Sequence, residues 1–320
     1  MKAQFTHISS GFSSMEAFEK VGTCVTPEQL CASLRTRSFA VVPLPLSVSS
    51  AVRSLVAEMP HFFGDENARE RIGLTHPAFA SDGTPTYRGY SESDARKVLF
   101  ARLTTSATCS PSPVALPSLQ EACRELHAFS LSLLEALAME LVRSDPKTLT
   151  RLADPIPSAS ADGAAPAELS SLLSLFRYRP GAATPCAEHV DYTLITVAPF
   201  ASAAGLEVLD LAEFCWRCPE KEAEGNGFAG GTHAMNAIVM AGETLEYITR
   251  GEISATTHRV VPAFGAVPRF SSPYLLYPRG DVRLARCVVQ PSSCGEEPEA
   301  PIAQHFIRAS QLQKTSAVYS

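Results

Sequence analysis

From residue 172 onward the chain breaks into short apolar runs separated by glycine and proline: LLSLFRY, TLITVAPF, GLEVLDL, NAIVMAG, TTHRVVPA and RFSSPYLLY. Each run has strand length and is rich in β-branched or aromatic residues. Many short strands punctuated this way predict an antiparallel sandwich or a jelly roll. The first part of the chain reads differently. Residues 20–145 look mostly helical with one clear strand, SFAVVPLPL (38–46). Thr26-Pro27-Glu28 supplies an N-cap followed by proline at the first helical position. SLQEACRELHAFSLSLLEALAMELV (118–142) opens on a Ser118/Glu121 capping box, and its Leu119, Cys123, Leu126, Leu133, Leu137 and Leu141 recur at helical spacing as a core stripe. An Ala-, Ser- and Pro-rich connector covers 145–170, and APIAQHFIRASQLQKT (300–315) predicts a last helix.

The expected fold class is therefore α+β and mainly β. A mostly helical region is expected over 1–165, a sandwich or jelly-roll core over 166–295, and a C-terminal helix and tail over 296–320. With 320 residues, 45% of them hydrophobic, there is ample material for a large core. The net charge of −6 and the lack of a basic block give no footprint for nucleic acid. The opening MKAQFTHISSGFSS holds no apolar signal core, and no apolar run reaches the roughly 18 residues of a membrane span. A cytoplasmic protein, monomeric or weakly dimeric and without a membrane partner, is expected. Nine scattered cysteines suit reduced thiols better than a disulfide framework.

Chemistry concentrates at CAEHVDYTLITV (186–197). On a strand, His189 and Asp191 would share a face. The pair alone suits a metal or a plain His–Asp hydrogen bond. A facial triad of two histidines and one carboxylate needs a second histidine and leaves open positions for reactants. Within the β-rich region the choices are His233, in the glycine-rich GNGFAGGTHAMN, and His258, in the strand-like SATTHRVVPA. Arg269 and Ser271 would share a strand face further on, a guanidinium fork and a hydroxyl for one carboxylate. A metal beside that clamp would hold a small diacid at both ends.

H-x-D (189–191), NAIVMAGETLEYITRGEISATTHRVV (236–261) and R-x-S (269–271), in that order, resemble the non-haem Fe(II), 2-oxoglutarate-dependent dioxygenases, and within them the isopenicillin N synthase-like branch. GLEVLD before CWRCP, SFAVVPLPLS and TYRGYSE (86–92) extend the resemblance over most of residues 25–310. It implies a double-stranded β-helix, with Fe(II) on His189, Asp191 and His258 and 2-oxoglutarate held at Arg269 and Ser271. It further implies O2 as oxidant, ascorbate as an optional stimulant, and oxidation of a small molecule, hydroxylation first, with release of succinate and CO2. Two alternatives stay open: a triad iron oxidase of this fold that does not use 2-oxoglutarate, and a non-catalytic jelly-roll binding protein.

The chain departs from the family in two places. Residues 213–234 are longer than two core strands need. The glycine-rich 219–234 is expected to be a mobile surface loop carrying a non-ligating His233. The family's tyrosine just before proline helps hold the co-substrate. Here Arg179 precedes Pro180 and Tyr178 falls one place early, so the role is not carried onto Tyr178. Cys215 and Cys218 lack the second pair a zinc site needs. TYRGY offers tyrosine or arginine to a pocket, or packs as an ordinary loop.

Overall fold

In the computed structural model, which describes residues 26–64, 71, 73–74, 87–142, 145–157, 167–183, 185–224, 235–262, 267–285 and 300–318, Thr26 opens helix α1 (Pro27–Arg37) as its sequence suggests. Its hydroxyl accepts from the Gln29 amide while the Gln29 side chain reaches back to the Thr26 amide. Strand β1 (Phe39–Pro43) follows, then helix α2 (Leu46–Phe62). A hairpin, β2 (Gly89–Glu92) and β3 (Arg96–Leu103), leads through the short β4 (Cys109–Ser110) into α3 (Leu119–Leu141). The leucine stripe of α3 is buried throughout. The expected Ser118 cap does not form, because Ser118 gives both its amide and its hydroxyl to Glu58 on α2. A carboxylate from a packed neighbour has outcompeted the local motif.

The second half supplies β5 (Leu172–Tyr178), β6 (Cys186–His189), β7 (Ile195–Pro199), β8 (Leu206–Asp210), β9 (Cys215–Arg217), helix α4 (Pro219–Glu224), β10 (Asn236–Ala241), helix α5 (Glu243–Ile248), β11 (His258–Val260), β12 (Arg269–Ser271), β13 (Tyr274–Leu276) and helix α6 (Ala303–Val318). They form two antiparallel sheets. The larger runs β1-β10-β7-β13-β5-β3-β2, with β12 beside β13 on the same strand β5 and β4 on β3; the smaller runs β6-β11-β8-β9. The architecture is α+β. Residues 20–145 are less purely helical than their sequence suggests, since β1, β2 and β3 are strands of the large sheet.

Alternation sorts the large sheet into two faces. Ala40, Val42, Val197, Val239, Leu173 and Leu175 turn to the helices and join the main core. Phe39, Val41, Tyr178, Ala198, Ile238 and Met240 turn the other way and pack with Leu206, Val208 and Val260 of the small sheet. Burial on both faces explains why the strand sequences read as unbroken apolar runs. Among the described residues all cysteines are free thiols, and no helix is long and apolar enough to cross a membrane.

Candidate metal centre and its carboxylate clamp

His189 ends β6 and sits directly opposite His258 of β11 in the small sheet. Their rings lie 4.2 Å apart between centroids. Asp191 follows two residues later, beyond the strand end, and turns its carboxylate between them: Oδ1 is 3.7 Å from His189 Nε2 and Oδ2 is 3.8 Å from His258 Nε2. One donor atom from each residue falls within 4.8 Å of the others, and no other such His/Cys/Asp/Glu group occurs among the described residues. The Nδ1–H groups donate to backbone carbonyls, His189 to Ala187 at 2.8 Å and His258 to Thr256 at 3.0 Å. Both Nε2 lone pairs are thereby aimed at the same point, the ring orientation that a metal requires of histidine. The chemistry and spacing of the set fit a divalent ion.

The metal-free charges show how polar the point is. Burial disfavours the His189 imidazolium, but the hydrogen bond and charge of the Cys186 sulfur, with the Asp191 carboxylate, outweigh it and hold the pKa up to about 9. Burial lowers that of His258, more than Asp191 can restore.

The Asp191 turn is fastened by its backbone. The start of α5 reaches across to it: Glu243 N–H donates to Asp191 O, Gly242 N–H to Leu194 O, and the Thr244 hydroxyl to Tyr192 O at 2.6 Å. Gly242 packs so close to Thr193 that an added Cβ would lie 2.1 Å from its carbonyl oxygen. Only glycine fits there. The carboxylate itself accepts the Thr196 hydroxyl on Oδ2 at 2.6 Å.

Across a cavity of about 380 Å³ from the triad, Arg269 and Ser271 line the wall of the large sheet, together with Tyr178. Tyr178 lies opposite Arg269 in register, so it faces the same space, and its ring is 5.3 Å from the guanidinium carbon. The parity argument that kept Tyr178 out of the site misjudged its face. Arg269 is not an empty fork. Its Nε donates to Ala203 O at 2.9 Å, and its Nη2 meets both carboxylate oxygens of Glu220 at 3.0 and 3.2 Å. Glu220 also accepts the amides of Ala201, Gly205 and Leu206. Among the described residues, Nη1 is the guanidinium nitrogen with no hydrogen-bond partner. Gly205 leaves room for the arginine stem, which a Cβ would approach to 3.1 Å.

Glu220 belongs to the segment expected to be a loose loop. Instead 219–224 is a helix whose Glu220 and Ala223 are buried; His233 lies outside the described residues. The charged composition hid a long-range ion pair. Tyr87 of the TYRGY stretch also lines the cavity, whereas Tyr90 packs into the core.

No protein-family model matches the sequence, and no curated protein matches it. Solved structures do match in fold. Neurospora crassa T7H in complex with alpha-KG superposes with a TM-score of 0.62 at 18% identity, covering 88% of this chain and 89% of that one. A Caulobacter crescentus protein assigned to the 2OG-Fe(II) oxygenase family gives 0.63 at 19%, with 90% and 93% covered. The rice dioxygenase for auxin oxidation gives 0.59 at 16%, with 92% and 94% covered. Over nearly its whole length, this chain has the fold of the 2-oxoglutarate- and iron-dependent oxygenases.

Proposed function

We propose that the protein is an Fe(II)- and 2-oxoglutarate-dependent oxygenase that oxidises a small molecule, by hydroxylation first, with release of succinate and CO2. The observation that carries this reading is the convergence of His189, Asp191 and His258 on one point of a cavity whose far wall holds Arg269 and Ser271. Two imidazoles and one carboxylate on one side of a metal leave positions open for reactants. A bound Fe(II) would supply the activation of O2 and the oxidation that the side chains cannot perform. The chain's own part is positional. Thr196 orients the Asp191 carboxylate, and the two backbone carbonyls set the histidine tautomers. Arg269 Nη1 and Ser271 would meet the far carboxylate of 2-oxoglutarate, with Tyr178 packed beside them. The two sheets would form the double-stranded β-helix of residues 166–295, extended by strands from the N-terminal region. The neighbours that bind alpha-KG share this fold, which supports the reading.

A second reading has one observation in its favour. Glu220 already gives Arg269 a carboxylate, which suits an oxidase of this fold that does not use 2-oxoglutarate. Anaerobic Fe(II) reconstitution followed by O2 and 2-oxoglutarate tests both. Decarboxylation with one succinate per 2-oxoglutarate supports the first reading. Stoichiometric Fe(II) without 2-oxoglutarate consumption, across a metabolite library, sinks it.

A further inference from the structure

A second cation faces the same cavity, and among the described residues no carboxylate pairs with it as Glu220 pairs with Arg269. Arg96 of β3 lies opposite Tyr178 of β5, as Arg269 of β12 does from the other side. Residues in register across neighbouring strands project to the same face, so the two guanidinium groups flank one tyrosine. Arg269 is neutralised by Glu220. Among the described residues, Arg96 pairs with no carboxylate: its neighbours are the Tyr178 hydroxyl, the Cys186 sulfur and the ring of Phe176, 5.3 Å from the guanidinium carbon. The cavity's own carboxylates, Glu188 and Asp191, are not paired with it. A half-buried guanidinium without a carboxylate has given up water without a full replacement.

The wall beside it is aromatic. Tyr87 meets Phe100 edge-on at 5.5 Å, Phe100 meets Phe176 edge-on at 6.3 Å, and Phe176 stacks on Tyr178 at 5.4 Å. Alternation along β3 and β5 puts Phe100, Phe176 and Arg96 on one face. The Cys186 thiol beside Arg96 is 3.9 Å from His189 Nδ1, so this cation borders the metal end. The cavity volume is at the small end for a ligand site.

We propose that Arg96 is the anchor of the primary substrate, and that this substrate is a small planar carboxylate whose ring lies along Tyr87, Phe100 and Phe176. The assignment rests on the oxygenase reading, in which Arg269 and Ser271 are taken by the co-substrate. It narrows the substrate class to aromatic or similarly flat acids, with the carboxylate held by a charge-assisted pair and the oxidised carbon turned to the triad.

The test uses the full chain loaded with Mn(II) and 2-oxoglutarate. The probes are phenylacetate, 1-naphthylacetate and their primary amides, followed by paramagnetic relaxation of the ligand protons. The acids should bind at least about tenfold more tightly than the amides. Arg96→Gln should erase that preference and leave amide binding unchanged, and Arg96→Lys should restore part of it. The Kd of 2-oxoglutarate should move less than about twofold in either variant. Acids that bind no better than amides, or an acid preference that survives Arg96→Gln, overturn the proposal. So does an equal loss of 2-oxoglutarate affinity, which would give Arg96 to the co-substrate. Failure of the underlying reading shows separately, as wild-type protein that takes Mn(II) but no 2-oxoglutarate; the acid-against-amide comparison is then made with Mn(II) alone.

Discussion

At the metal end of the cavity, the His189 side chain is 40% exposed and Asp191 14%, and one donor atom from each of the three residues lies within 4.8 Å of the others. At the clamp end, Arg269 and Glu220 are 3% and 4% exposed, and Glu220 is saturated by three amides and a guanidinium. The first constellation gathers donor atoms that a cation would tie together. The second is already complete and holds the fold as much as it awaits a ligand. Two sites that read alike in sequence, a few polar residues on strands, thus differ in what their removal should do.

The largest expected effect is at the metal end. His258→Ala should reduce bound Fe(II) or Mn(II) from one per chain to none, while urea unfolding of the metal-free protein shifts by no more than about 1 kcal/mol. Full metal retention, or collapse of the apo protein, would erase the distinction between the two ends. Glu220→Ala reverses the pattern. It strands a buried guanidinium, and should cost about 3–5 kcal/mol of stability with stoichiometric metal retained in the folded protein.

Arg269→Ala sharpens the comparison, because it should do both things. It should lose roughly ten- to hundredfold in 2-oxoglutarate affinity, and it leaves Glu220 buried without its cation. Replacing the pair together, Glu220→Gln with Arg269→Met, removes both charges and keeps an amide oxygen for part of the three backbone N–H groups; it should recover part of the stability and none of the affinity. If the double variant also regains affinity, Arg269 does not hold the co-substrate. Thr196→Val removes only the hydroxyl that orients Asp191; metal affinity should fall about 10- to 100-fold, as read by competition with a chelating dye. The smallest effect is expected on the outer side of α4. Arg217 of β9 bridges Glu213 and Glu222 at the surface, so Arg217→Ala should cost about 0–1 kcal/mol, in contrast to Glu220, which shares the short helix α4 with Glu222.

How far the sequence showed the site depended on how local the cause was. Arg269 and Ser271 lie on one strand, so period-two reasoning put them on one face. His189 and Asp191 come together as that reasoning predicts, although Asp191 lies past the strand and is placed by the α5 backbone. Tyr178 was lost because its face is set by pairing with β12, which no local pattern reveals. Glu220 sits in a run of charges that looks solvated, and its burial comes from an arginine far along the chain. Ser118 shows the same rule on a small scale: the local cap signal was sound, but Glu58 of a neighbouring helix took the hydroxyl.

The bolting of the Asp191 turn to helix α5 separates two design variables. Glu243, Gly242 and Thr244 grip the turn through the peptide units of Asp191, Leu194 and Tyr192, so the turn's position does not depend on which side chain stands at 192. Tyr192 nevertheless borders the cavity. A library at that one position should recut this part of the cavity wall while the Asp191 carboxylate beside it stays in place, so residue 192 is where the cavity's shape can be varied on its own.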